Sequence, residues 1–328
     1  MTAGRRVREQ AVRVLEGVGS IDDSERLMTS STPDLTISHA SYGKDGLRLL
    51  ARFPGGDTDD IGDGVSDVVL SIRVEGEFLE SYWSGDNRAI LPSDTLRRHA
   101  MAERAANPAT DPIALVEPIA RRILAANPAL ERVSIDAVGQ RWVRRGRHTF
   151  TSGGLSETAH ISIGRDGAIT RTGGVTGVQL LSTTGSAFTG FMRDELTVQT
   201  ESLDRPLCGT LDATWTWAED SHFSPAVGND DIAERLIDAC ADRPSNAVQE
   251  LLASAARTVL EQTNGLTAIS MRFASLPIAA NVFDGDPASH QSHEVGTGPL
   301  GVTEVTITRA HAVAAPSGTK SSDSEFMQ

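Results

Sequence analysis

The side chains in this sequence that could carry chemistry are scattered, and most have a plainer reading beside the chemical one. Lys44 follows Tyr42-Gly43 and is a base in waiting if its surroundings favour a neutral amine, but a lysine in a strand is ordinarily a solvated surface group. Asp94 stands where a helix should begin, which suits a helix cap and a ligand contact equally. Phe188 offers a flat apolar plate, yet alone it reads as core. Arg205 carries a planar fork of N–H donors, although Asp204 beside it could simply pair with it. Gln249, at a helix start, can donate and accept, or can merely face water. His290 and His293 read as surface-loop histidines. Cys208 and Cys240 are too few and too far apart for a disulfide framework or a zinc site, and no His, Cys or carboxylate cluster has metal-ligand spacing. Gly173, Gly174 and Gly177 are not followed by the Lys-Ser/Thr of a phosphate loop, so a hairpin turn explains them better.

The elements that must position these groups follow from hydrophobic spacing. Val7, Ala11, Val14, Leu15 and Val18 recur at helical intervals, and residues 20–36 are polar with Pro33 near the end, so residues 1–36 read as a helical extension and linker. Alternation predicts strands at Leu47–Phe53 and Val68–Val74, separated by a Gly/Asp-rich hairpin loop over Pro54–Gly64. Helices are expected at Asp94–Ala105 and Ile113–Ala126, the latter placing Ile113, Val116, Ala120, Ile123 and Leu124 on one face. Strands return at Arg132–Trp142 and Thr149–Ser152. The order then repeats: strands at His160–Ile163, Val175–Thr184 and Gly209–Trp217, helices at Asp230–Ala241 and Val248–Thr263, and closing strands at Ala268–Ala274 and Gly301–Ile307. Strands, two helices, then strands, occurring twice, predict a tandem α+β arrangement with modules at 37–155 and 156–310. The tail 311–328 is rich in Pro, Ser, Gly and Asp with little to bury, and is expected to be disordered.

Charge narrows the partners. Thirty basic against 44 acidic residues give a formal net charge of −14, which opposes binding to phosphate backbones or anionic lipid. The arginines near the N-terminus precede no unbroken apolar run, so a secretory signal is not expected, and no apolar stretch is long enough to span a bilayer. A reduced, cytoplasmic setting is the expectation, with neither nucleic acid nor membrane as a partner.

Three stretches resemble urate oxidase (uricase), a family with the tunnelling fold (T-fold). They are Tyr42-Gly43-Lys44 with Leu47-Arg48-Leu49; Gly85-Asp86-Asn87 followed by Ser93-Asp94-Thr95; and Ser182-Thr183-Thr184-Gly185-Ser186-Ala187-Phe188, then Gly190-Phe191-Met192-Arg193-Asp194-Glu195 and Asp204-Arg205. Ser245 with Val248-Gln249 resembles the family's Ser-Val-Gln, and Leu276-Pro277 its Leu-Pro. The resemblance covers roughly residues 37–310 and implies tandem T-fold modules, antiparallel sheets with helices on one face that pair between subunits into an oligomeric barrel, a tetramer of the family's kind. It implies an enzyme of purine catabolism that oxidises urate with O₂ to 5-hydroxyisourate and H₂O₂ without metal, flavin or other cofactor. In that scheme Lys44 is the basic centre working through Ser93, where the family has Thr. Phe188 stacks on the ring, Arg205 and Gln249 grip its two edges, and the backbone N–H groups of Asp94 and Val248 hold further acceptors. Gln199 replaces a family Leu and adds a polar group to the pocket. The family's Asn-x-His is absent, with Ile278 and Ala280 in its place, so slower or redirected oxidation is expected unless His290 or His293 substitutes. The alternatives are an enzyme acting on another nitrogen heterocycle and a non-catalytic purine binder.

Overall fold

In a computed structural model the residues described are 35–54, 64–108, 111, 113–219, 228–241, 244–281, 292–298 and 300–310. The expected N-terminal helix, nearly all of the linker, most of the loop after Pro54, His290 and the tail fall outside them. The chain divides into a unit Met1–His39 and a unit Ala40–Gln328, and the second holds every strand and helix found among the described residues.

Among the described residues, eight strands form one open sheet in the order β1 (Tyr42–Phe53), β2 (Gly64–Gly76), β3 (Leu130–Arg144), β4 (Phe150–Gly164), β5 (Ile169–Phe188), β6 (Ser202–Trp217), β7 (Leu266–Ser275) and β10 (Gly301–Thr308). Every pairing is antiparallel, and β8 (Ile278–Asn281) and β9 (Ser292–Val295) make a separate two-stranded ribbon. Alternation sorts the strand side chains between the faces. On β2, Val68, Leu70, Ile72 and Val74 are buried, whereas Arg73 on the opposite face pairs with Asp45. Two helices cover this buried face in the first half: α2 (Ser93–Ala106) through Leu96 and Ala100, and α3 (Val116–Ala126) through Ile119, Ala120 and Ile123. The short α1 (Leu79–Trp83) precedes them. In the second half α4 (Asn229–Ala241) and α5 (Val248–Gln262) contribute Ile232, Leu236, Leu252, Ala256 and Val259 to a core with Trp215, Met271 and Phe273. Each fully buried Ile or Leu in these cores is worth about 2 kcal/mol over its exposed state. Helices on one face of an antiparallel sheet is the α+β arrangement that the spacing predicts, while the sheet of a single chain remains unclosed, with β1 and β10 at its edges.

Three details depart from expectation. The strands expected separately at Thr149–Ser152 and His160–Ile163 are one strand, β4, so the module boundary placed at 155/156 falls inside it. Ala159, Ile161 and Ile163 of that strand pack in the first core. Gly153-Gly154 suggested a break, but a strand tolerates glycine where its neighbours hold the ladder. Likewise Gly173, Gly174 and Gly177 are no hairpin turn and lie within the 20-residue β5. Gly173 is needed because a Cβ there would strike the Asn229 carboxamide and the Trp215 indole, where α4 begins against the strand. Finally, β4 and β5 pair without interruption from Ile163↔Ile169 to Ser156↔Thr176, so the two cores share one sheet. Buried Arg171 on β5 reinforces this by reaching Glu117 of α3 at 2.9 Å. Burial would push the Glu117 carboxyl up, but hydrogen bonds from Arg171 and Arg121 outweigh it and hold its pKa below the usual value.

Candidate functional site

The first group of candidate residues gathers at the start of β1. The Tyr42 hydroxyl accepts a hydrogen bond from the Leu91 N–H at 2.8 Å, tying the approach to α2 onto β1, and its ring meets Phe78 edge-on at 4.9 Å. Burial raises the Tyr42 pKa, so the phenol stays neutral. Gly43 lets the strands close at this point, since a Cβ would run into the Ile72 carbonyl of β2. Lys44 follows, half-buried, at a register shift between Lys44 and Leu47. Ser93 is the first residue of α2, and α2 packs on β1. Lys44 and Ser93 therefore occupy one corner of the fold.

Asp94 is not the cap of α2, a position held by Pro92, which makes no side-chain cap hydrogen bond. The Asp94 carboxylate instead binds Arg97 at 2.8 Å and Arg98 at 3.1 Å, which lower its pKa to about 2. What the residue can offer a ligand is its backbone N–H, one of the first-turn donors that a helix cannot satisfy internally.

The second group lies where β5 meets β6. Asp204 does not serve as the partner of Arg205. Its carboxylate accepts the Thr184 hydroxyl and the Gly185 N–H at 2.6 Å, in that order the causes of its lowered pKa, and so anchors the end of β5. The segment before α5 is clipped alongside: Ser245 N–H donates to the Gly185 carbonyl at 2.9 Å, and Ala187 N–H donates to the Ser245 carbonyl at 2.8 Å. That clip sets the N-terminus of α5, with buried Val248 and exposed Gln249, beside the strand that carries Phe188. The α5 cap residue, Ala247, makes no side-chain cap bond either, so the first-turn N–H groups of Val248 and Gln249 face outward as those of Ser93 and Asp94 do.

Arg205 stands opposite Ser186 in the β5–β6 ladder, and its guanidinium carbon sits 5.2 Å from the Phe188 ring centre. Its Nε is buried and makes no hydrogen bond, and neither does the buried Ser186 hydroxyl. A buried N–H without an acceptor costs roughly 1–3 kcal/mol, a cost that a ligand acceptor would remove. Phe188 is also stacked on Phe191, 4.7 Å between centres and 12° between planes, and Arg193 lies 4.8 Å over Phe191. Nothing in the sequence marks Phe191 and Arg193 for this contact beyond their place between Phe188 and Arg205. Gln199 lies on the excursion between β5 and β6, exposed, its amide donating to the Thr200 carbonyl at 3.0 Å. Met192, Leu196 and Val198 are exposed on the same excursion.

The two groups are not brought together within one chain. Four strands separate β1 from β6, which at about 4.8 Å per strand puts Lys44 and Arg205 on the order of 24 Å apart along the sheet. Ile278 and Ala280 lie on β8, opposite Val295 and His293 of β9, in a ribbon not foreseen from sequence. The ribbon leaves β7 after the Leu276 N–H bonds the Cys208 carbonyl of β6 at 2.8 Å, and β8 contacts β6. Among the described residues no group of three His, Cys, Asp or Glu side chains is placed to hold a metal, and no helix is long and apolar enough to cross a membrane.

Residues 171–299 match the family model described as Uricase. The uricase of Emericella nidulans is 26% identical over 201 residues, covering 59% of this chain and 66% of that protein, and the uricase of Aspergillus flavus is 26% identical over 188 residues, covering 55% and 62%. The chain thus spans just under two thirds of those relatives. The uricase of Dictyostelium discoideum is 24% identical over 293 residues, covering 84% of this chain and 99% of that one. Among solved structures, the uricase of Arthrobacter globiformis superposes with a TM-score of 0.73 at 22% identity, over 86% of this chain and 97% of that one.

Proposed function

The chain is a divergent member of the uricase family, and from that premise we propose that it oxidises urate with O₂ and water to 5-hydroxyisourate and H₂O₂ without a cofactor. The observation that carries the reading is the Arg205–Phe188 pair, a buried, unsatisfied guanidinium Nε set against an aromatic plate, with the α5 N-terminus clipped beside it. Urate is a planar anion with carbonyl oxygens and N–H groups on its edge. Arg205 supplies paired donors and positive charge to one edge, Gln249 a donor and an acceptor to the other, and Phe188 stacks on the ring. First-turn N–H groups of Val248 and Asp94 favour the anion further. Lys44, relayed through Ser93, takes the proton whose loss makes the purine electron-rich enough to reduce O₂.

Lys44 and Ser93 lie too far along the sheet from Arg205 to meet one ligand in a single chain. In this reading the site closes between copies, with Lys44, Ser93 and Asp94 from one protomer and Phe188, Arg205, Val248 and Gln249 from its partner. Two unpaired edge strands and the exposed apolar excursion of Met192, Leu196 and Val198 support such a homo-oligomer, a tetramer by resemblance. Gln199, on that same excursion, would then face the pocket from the interface.

A second reading, a purine binder without oxidase activity, is favoured by one feature: the apolar side chain of Ile278 and the alanine at 280 stand where the family has Asn and His. Incubation of the purified protein with urate under air, following loss of its ultraviolet absorbance and release of H₂O₂, separates the two. Consumption with matching peroxide supports the oxidase. Tight binding of urate under nitrogen with no consumption under air refutes it in favour of the binder.

A further inference from the structure

We propose that His293 is the proton-accepting residue on the oxygen side of this site, delivered from β9. The inference rests on the urate-oxidising reading above. Its basis is the register of the small ribbon: Ile278 pairs with Val295 and Ala280 with His293. Positions two apart on a strand share a face and directly opposed positions share it too, so 278, 280, 293 and 295 form one face. Across an antiparallel pair, opposed Cα atoms lie about 5 Å apart. On that face Ile278, Val295 and Ala280 cannot move a proton, and His293 alone carries a group that can. His293 is half-buried, and the ribbon branches from the sheet beside β6, the strand whose Cys208 carbonyl holds Leu276 and which also carries Arg205.

The chemistry gives the imidazole a defined task. Urate yields two electrons and two protons to O₂, forming H₂O₂ and a dehydrogenated purine. Water then forms a C–O bond at C5 and must release one proton as it does so. His293 accepts that proton at a ring nitrogen and returns it to solvent, so the added atoms balance as one water per urate and one H₂O₂ per O₂. A histidine one strand away from position 280 reaches the same space with a side chain approaching from across the ribbon.

The test measures urate binding under nitrogen by calorimetry and urate consumption under air for the unaltered protein, His293→Ala, His293→Gln and the relocated pair His293→Ala with Ala280→His. Loss of a proton acceptor should lower kcat by about 100-fold in the first two variants, with Kd for urate changed by less than about threefold. Added imidazole should recover part of the rate in His293→Ala, and the relocated pair should recover most of it, which a purely structural role would not produce. If the unaltered protein consumes urate and both single variants do so at an unchanged rate, the inference is overturned while the urate-oxidase reading stands. If the single variants lose binding and rate together, with no rescue by imidazole or relocation, His293 is a structural residue and the inference is likewise overturned. If the unaltered protein binds urate but consumes none, the oxidase reading fails and takes the inference with it.

Discussion

Replacing Arg205 with alanine probes the feature on which the functional reading depends. The guanidinium would lose a charge-assisted, two-pronged contact with the purine edge, worth about 1.5–3 kcal/mol in a closed site. It would also leave Phe188 without the cation 5.2 Å from its ring centre, a contact worth about 0.5–1 kcal/mol. The sum, about 2–4 kcal/mol, corresponds to a rise in Kd of roughly 30- to 700-fold at 1.4 kcal/mol per decade. Because Nε of Arg205 is buried without a partner in the free protein, removing it relieves an unsatisfied donor and should cost the fold little. Calorimetric titration of urate under nitrogen reads the affinity, and a thermal melt reads the fold. Arg205→Lys, which keeps the charge but loses the fork, should fall between the two. An unchanged Kd for Arg205→Ala in a protein that melts normally would refute the clamp and remove the main support for the proposed substrate.

Other consequences follow from the same structure. Ile278→Asn restores an amide that can hold O₂ or water on the ribbon face, and steady-state kinetics should show kcat for urate raised with KM little changed; an unaltered or reduced kcat would place the oxygen site elsewhere. Buried Asp67 accepts from Arg48 Nε at 2.9 Å and from the Trp142 indole N–H at 3.1 Å, and the Arg48 bond is the main cause of its lowered pKa. Since the folded pKa is depressed, its contribution is complete above the ordinary carboxylate range and is lost as pH falls through the folded value. Asp67→Asn should therefore cost about 2 kcal/mol in urea melts at neutral pH, with the gap closing below about pH 4. Light scattering should give a mass well above the 34.9 kDa of one chain; a monomer would leave Lys44 and Arg205 with no route to a common ligand.

Much of this was legible in the sequence because it depends on local order. Alternating apolar residues on β2 and the 3.6-residue stripe of α3 depend on which neighbours lie two, three or four positions away, and the chain itself carries that information. The motif around Phe188 and Arg205 was likewise readable, since Ser186 pairs with Arg205 in a hairpin of adjacent strands. Three matters needed the tertiary structure. Glycine has no side chain to report its use, so only the packing of Asn229 and Trp215 against Gly173 shows that it lies inside a strand. The role of Asp204 was decided by the turn at Thr184-Gly185, which competes with Arg205 for the carboxylate and wins through short, well-placed donors. The pairing of Ala280 with His293 depends on how a ribbon closes across residues distant in sequence, a register set by backbone hydrogen bonds that composition does not encode.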